Sequence, residues 1–351
     1  MRTRYVNLQA FTGLAEKPLL TEFVVEDGLF ADPGDHLPGE KTVDLGGAFV
    51  SPAFIEAHAH PMMIAEALET TACVPPNVNS IEEMIEALSC SEAAREGEGW
   101  IEGWGYDEML LAEGRAPTRR DLDRVSAARP VVVRRSDCHS CAVNSAALRL
   151  AGITRETPDP AGAVIGRDAD GEPNGLLIET AASALIERVR PPLDEARRMA
   201  RMLRLREHYL SHGILTTTEM MPRRLPGSPD DALAVWRRAV AAGVPVDVNL
   251  YFAWTGGEDP FGVPELTPEE KTGPVRYAGV KLFGDGSVSG RTAAMREPFR
   301  FPEGAAPAEP AGFMTLSAPV FRAALAYARR NGVALSVHIT QPYSGDFKTL
   351  V

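Results

Sequence analysis

Cysteine is scarce in this chain. Four residues in 351, Cys73, Cys90, Cys138 and Cys141, are too few for a disulfide framework, and a reducing cytoplasm is the simplest setting for them. Long hydrophobic runs are missing as well. No stretch reaches the ~18 consecutive apolar residues of a membrane span. Met1-Arg2-Thr3-Arg4 is followed by no apolar segment, so a signal peptide is not expected. Basic charge is in deficit, with 36 Lys and Arg against 48 Asp and Glu and a formal net charge of −12. Such a surface argues against nucleic acid and anionic membranes as partners. It leaves a small-molecule substrate open, because charge at a site can oppose the net charge. No internal repeat and no low-complexity tract is visible. Cys138-His139-Ser140-Cys141 has C-x-x-C spacing but no second such pair, which favours small buried residues around one useful histidine over a zinc or redox motif.

Apolar residues, 44% of the chain, are sufficient for a large core, and the length suggests about two domains. Residues 1–50 read as short strands and turns. Glu22 to Glu26 precedes Asp27-Gly28, a hairpin signal, and Lys41 to Leu45 leads into Gly46-Gly47. This suits a small β-sandwich portion beside a larger domain. Ser80 with Glu83 predicts a helix running to about Arg95, and Thr118 with Asp121 predicts another. Val131 to Val133 reads as a buried strand, and Asn144 to Leu150 as a short helix stopped by Gly152. Residues 163–165 and 175–179 flank a hairpin turn at 168–171. From about 193 the rhythm alternates: a helix over 194–212, a strand at 214–218, a helix over 229–242 and strands at 246–250 and 278–283. A Pro/Gly/Ala-rich loop covers 297–312, Ser317 opens a helix closed by Gly332, and a last strand spans 333–338. Alternation at this spacing means a parallel sheet with crossover helices.

The chemistry-bearing residues fall at strand tips. In Phe54-Ile55-Glu56-Ala57-His58-Ala59-His60 the two histidines lie two apart on a strand, hence on one face, bounded by Pro52 and Pro61. Strand tips are where parallel α/β folds build sites, and imidazole is a common metal ligand. Glu219 follows the next strand. Lys281 lies inside an apolar strand just before Asp285, and His338 ends the last one. A buried ammonium is costly unless paired or neutralised. One way out is carboxylation by CO2 to an anionic carbamate able to bridge two cations; the other is a snorkelling or salt-bridged side chain, with Asp285 or Glu219 as partner.

Residues 50–60, together with Gly103-Trp104-Gly105-Tyr106-Asp107, Arg134 to His139, Asn144 to Leu148, Gly171 to Glu179 and Val280 to Ser287, form a set. In this order they resemble the amidohydrolase superfamily, and within it the amidohydrolase-3 branch that includes N-substituted formamide deformylases. The resemblance runs from about residue 40 to 338. It implies an α/β fold: a metal-dependent-hydrolase, TIM-type (β/α)8 barrel, incomplete here at about five barrel strands, with a small N-terminal β-sandwich portion. It divides the chain into 1–50 and 51–351, with 61–205 as an insertion after the first barrel strand. It implies His58, His60, Lys281 and His338 as metal ligands, one or two divalent ions with Zn2+ as the expected metal, and His139, Trp104 and Tyr106 as substrate contacts, with ordinary packing as their alternative.

The implied activity is hydrolysis of a C–N, amide-type bond in a small molecule by a metal-bound hydroxide. The family's sixth-strand histidine and eighth-strand aspartate have no counterpart in the sequence, so the catalytic acid or base is unassigned; Asp285 and Glu219 are the only strand-tip candidates. After His338 the stretch 339–351, with Pro342, does not read as the family's usual helix, which suggests a truncated or divergent ending. The alternative functions are a catalytically inactive remnant and a metal-binding or association protein. An open five-stranded sheet leaves an edge that a second copy could cover, giving a homo-oligomer.

Overall fold

A computed structural model describes residues 1–34, 36–160, 163–244, 246–286, 288, 291–300 and 311–340. The element that organises the chain is a five-stranded parallel sheet. Its strands lie side by side in chain order: Phe54–Ala59, Ile214–Met220, Asp247–Ala253, Val275–Phe283 and Ala334–His338. We call them the first to fifth barrel strands. Helices Glu195–Ser211, Ala232–Ala241 and Ala318–Asn331 lead into the second, third and fifth strands, and a single 3-10 turn, Glu269–Lys271, precedes the fourth; the sheet is a curled half-barrel.

The pleat decides what each face carries. Val248, Leu250 and Phe252 on the third strand, and Val275, Tyr277 and Val280 on the fourth, point to the helices and pack with Leu205, Tyr209, Trp236 and Tyr327 in the largest core. Their alternates point to the concave side. Register partners share a face, so Lys281 with Ser336 and Phe283 with His338 line the concave side together. Caps set the helix ends: Asp194 and Ser317 accept from Arg197 N and Val320 N, and Gly332 closes the last helix in the left-handed region at φ +66°.

Residues 1–50 form one sheet rather than two packed layers among the described residues. Arg2–Phe11 pairs in parallel with Lys41–Val50 and antiparallel with Phe23–Glu26, which turns through Asp27-Gly28 into Leu29–Ala31. Both turn residues have positive φ, 50° and 84°, as the tight hairpin requires. With no second layer described, Phe30 and Phe49 stay exposed.

Between the first and second barrel strands the chain builds a six-stranded sheet of its own, ordered Val164–Arg167, Pro173–Ile178, Cys141–Val143, Val131–Arg135, Ile101–Tyr106 and Thr71–Ala72. Two cores cover its two faces. The helix expected from Ser80 to Arg95 is two helices, Ile81–Ser89 and Glu92–Glu96. Ser91 makes the break: its hydroxyl donates to Leu88 O at 2.7 Å and accepts from Ala94 N at 3.1 Å, ending one helix and capping the next. Glu66, on the helix Pro61–Ala67 after the first barrel strand, ties this sheet to the barrel through Arg134 at 3.4 Å and Arg190 at 3.1 Å. No helix among the described residues is long and apolar enough to cross a membrane.

Gly175 marks the tightest approach in the inserted sheet. It has φ +97°, and a Cβ there would lie 2.4 Å from Val143 O and 2.7 Å from Arg119 N. Both neighbours are backbone and cannot rotate away. Gly175→Ala is therefore expected to destabilise the protein by about 2–3 kcal/mol through overpacking and strain. Urea denaturation of the two proteins measures this, and an unchanged midpoint would contradict the packing described.

Candidate metal centre

The first barrel strand reaches the concave face through an irregularity. Thr217 pairs with Glu56 and Glu219 with Ala59, so two residues on the second strand oppose three on the first. Thr217 faces the helices, where its hydroxyl meets Tyr209 Oη at 3.4 Å. Glu219 and Ala59 share that face, and the extra residue between Glu56 and Ala59 turns His58 and His60 to the concave side. A bulge beside a site re-aims side chains in this way. His60 is the N-cap residue of the helix opened by Pro61, at the strand tip.

The two imidazoles lie nearly perpendicular with centroids 6.3 Å apart. His60 Nδ1 is 3.0 Å from Met220 O. A carbonyl only accepts, so Nδ1 carries the hydrogen and Nε2 keeps its lone pair for another partner, the arrangement that orients metal-binding histidines. His58 is held below the usual histidine range by burial and then by the positive charges of Lys281, His60 and His338. His338, its ring 5.8 Å from that of Phe283, is lowered by burial and Lys281, with Asp285 opposing and His139 and His60 adding to the shift. Neutral rings are the ligating form.

Lys281 is 2% exposed, and its Nζ has no hydrogen-bond partner among the described residues. Burial alone pushes its pKa down. The salt-bridge alternative for Lys281 does not occur. Glu219 lies across the sheet on the helix face, where its carboxylate accepts from Met62 N at 2.9 Å. Asp285 accepts from Ala294 N and Thr340 N, each at 3.2 Å. Of the two acids considered as stand-ins for the missing aspartate, Glu219 is thus on the wrong face. Asp285 is near His338 but already engaged by backbone donors.

The structure gathers His58, His60, Lys281 and His338 on one face. Among the described residues no three His, Cys, Asp or Glu side chains lie close enough together to hold an ion by themselves. The donor set still fits a divalent cation in chemistry: three imidazoles share a face with an amine that has no hydrogen-bond partner among the described residues.

The three inserted-sheet candidates separate. Tyr106 is 2% exposed within the core of that sheet, with its hydroxyl pKa pushed up by burial, so it packs rather than meeting a ligand. The strand Ile101–Tyr106 ends in two successive buried positions, a break in alternation that the letters do not disclose. Trp104 is half-buried on the opposite face, in register with Arg134, whose guanidinium reaches the barrel at Glu66. His139 is half-exposed, and Glu179 Oε2 lies 3.3 Å from its Nδ1. Sequence reasoning missed Glu179 as its partner, although Glu179 closes one of the family-like strings. The Met220 carbonyl, being backbone, left no signal to read. Residues 341–351, including Pro342, lie outside the described residues.

Comparisons with known proteins follow the same lines. The putative amidohydrolase YtcJ of Bacillus subtilis (strain 168) is 30% identical over 311 residues, covering 83% of this chain and 55% of its own length. The N-substituted formamide deformylase of Arthrobacter pascens is 35% identical over 152 residues, 43% of this chain and 28% of that protein. The chain thus spans about half the length of the first relative and less of the second. Crystal structures of uncharacterized metal-dependent hydrolases from Pyrococcus horikoshii OT3 and Pyrococcus furiosus superpose with TM-scores of 0.67 and 0.66 at 22% and 23% identity. Each superposition covers 97% of this chain, and 65% and 67% of the respective hydrolase. They share its fold, that of the TIM-type metal-dependent hydrolases. The Amidohydrolase family model matches residues 41–350, from the parallel partner of the opening strand through the whole half-barrel, and the chain belongs to that family, in its amidohydrolase-3 branch.

Proposed function

We propose that the chain carries the first half of the active site of a metal-dependent hydrolase acting on a C–N, amide-type bond of a small molecule. The observation that carries this reading is the buried Lys281 amine, without a hydrogen-bond partner among the described residues, on a face shared with three histidines. Burial favours the neutral amine, and the neutral amine is the form that takes up CO2, so carboxylation of Lys281 is part of the proposal. His58, His60, Lys281 and His338 would hold one or two divalent ions, with Zn2+ proposed because imidazole suits it. A cation there supplies Lewis acidity toward a carbonyl oxygen and ionises water near neutral pH. Met220 O fixes the tautomer of His60, and Phe283 packs beside both Lys281 Nζ, at 5.8 Å, and the His338 ring. Trp104 and His139 are proposed to face the substrate from the inserted sheet. An N-substituted formamide is the first substrate to try, given the name of the Arthrobacter relative. All four cysteines are unpaired, which supports a cytoplasmic setting, and edge strands with no further neighbour among the described residues support association with a second chain.

A second reading, a metal-holding protein without turnover, is favoured by one observation: Asp285, the acid whose charge acts on His338, is already engaged by Ala294 and Thr340. One experiment separates the two. The purified protein is stripped with chelator, reloaded with Zn2+ or Mn2+, and assayed on secondary formamides and N-acyl amines. Turnover restored by metal and lost at least 100-fold in His58→Ala is expected. Metal uptake without turnover would establish the second reading, and no uptake would overturn both.

A further inference from the structure

The helix Glu195–Ser211 ends in two histidines that play no part in the barrel-face set. His208 lies in its last turn, and His212, four positions on, is its C-cap residue. Residues four apart are only about 40° apart around a helix axis, so the two side chains lie along one face. Their ring centroids are 4.7 Å apart. Two imidazoles that share an ion at about 2.0–2.1 Å, with an angle of about 90–110° at the metal, have centroids roughly 4.5–5.2 Å apart. The pair therefore already has the separation of a chelate. His208 is half-buried and His212 exposed, so ions in solution reach them. The chain itself fixes the tautomer of His212. Its Nδ1 lies 2.8 Å from His208 O and 3.1 Å from Ser211 Oγ, and the serine hydroxyl donates its own hydrogen to His208 O at 2.8 Å. A carbonyl only accepts, so Nδ1 carries the hydrogen and Nε2 keeps its lone pair. Among the described residues no hydrogen bond engages that Nε2 or either ring nitrogen of His208. The last carbonyls of a helix carry partial negative charge, which favours a cation at this end.

We propose that His208 and His212 form a second metal site, a two-nitrogen chelate for a nitrogen-seeking divalent cation such as Zn2+, with water filling the remaining positions. Nitrogen donors select such ions against Mg2+ and Ca2+, which take oxygen. The site is independent of the hydrolase reading and lies at the other end of the barrel. Gly213 follows the pair and leads into the second barrel strand at Ile214, while His60 bonds Met220 O at that strand's far tip. Six residue steps at about 3.3 Å each separate the two ends by about 20 Å. A cation held by the pair staples the cap to the last helical turn, at the point where the chain enters the sheet.

The test reads each ring rather than turnover. Histidine ring-nitrogen spectra of 15N-labelled, chelator-stripped protein are recorded at about pH 8, above the ordinary imidazole pKa, while Zn2+ or Mg2+ is titrated in. The chain has only 7 histidines, so these two rings are assigned by their loss in His208→Gln and His212→Gln. We expect the Nδ1–H form of His212 before metal, a response of both rings to Zn2+ with one shared midpoint, and none to Mg2+. His208→Gln should weaken the His212 response at least about tenfold, because a second donor on the same helix acts at high effective concentration. The double variant Glu207→His/His208→Gln keeps the histidine count and the His212 cap but sets the two rings about 140° apart around the helix, and it should be as weak as His208→Gln. His58→Ala removes a barrel-face donor at the distant tip and should leave the midpoint at this pair within about twofold. Separate midpoints for the two rings, an equal response to Mg2+, no response at all, or full affinity at His212 in the double variant would each overturn the proposal. The responding rings also tell the two sites apart. Zn2+ uptake seen only at His58, His60 and His338 would refute this pair and leave the barrel-face centre standing, and uptake at this pair alone would do the reverse.

Discussion

Lys281→Met is expected to stabilise the metal-free protein while abolishing its response to divalent cations. The amine has no hydrogen-bond partner among the described residues, and the neighbouring strand residues Val280 and Leu282 are buried. An unmatched polar group in such surroundings costs about 1–3 kcal/mol, and methionine fills nearly the same volume without that cost. Truncation to alanine would confuse the result by opening a cavity, which is why methionine is the informative change. On the other side of the balance, a ligand at 100 to 1,000 times its dissociation constant stabilises the folded state by roughly 3–4 kcal/mol. Lys281→Met should lose most of that increment, because the remaining donors are three neutral rings with no anion among them. Urea denaturation with and without Zn2+ or Mn2+ measures both effects. A variant that is less stable without metal, or that keeps the full metal-induced gain, would show that the lysine is structural.

This opposition between stability and ligation explains what was legible in the letters and what was not. The hairpin at Asp27-Gly28, the helix capped by Ser317 and Gly332, and the strand–helix alternation after 193 could all be read, because each is written by neighbouring residues. A lysine amid Val280, Leu282 and Phe283 was readable for the same reason: its cost shows in the local pattern. What depends on partners far along the chain was hidden. The register slip between Glu56 and Ala59, one of two along this strand pair, depends on the second strand, 160 residues away, and it turns His58 and His60 to the concave side. Strict alternation carried back to Glu56 would have put that acid beside the histidines, whereas its register partner Thr217 lies on the helix face. Tyr106 resembled a substrate contact by its string and proved to be core, because burial there is decided by the helices stacked on the inserted sheet. The break at Ser91 was hidden in another way: serine both caps and continues helices, and its choice follows from the Leu88 carbonyl it satisfies.

Glu219→Gln is expected to remove a large pH dependence of stability. Glu219 is 3% exposed on the helix face of the second barrel strand. Burial raises its pKa to about 8 from the ordinary 4.5, and the Met62 N–H bond offsets only part of that rise. Between these two values the folded protein keeps a proton that the unfolded chain has released. Its contribution to stability is therefore fully present below pH 4.5 and falls as pH rises through about 8. Taken over the whole window the loss is roughly 3–5 kcal/mol, a large share of the stability of an ordinary domain. Glutamine is neutral at every pH, matches the shape and can still accept from Met62 N, so its stability should not show this fall. The two proteins should be close at pH 5, and the variant clearly more stable at pH 9. Because every other group titrates in both, the difference between paired urea midpoints isolates this one carboxyl. Parallel curves from pH 5 to 9 would mean that Glu219 is ionised in the folded state, either compensated by a cation or reached by water, and the dry helix-face environment described for it would be wrong.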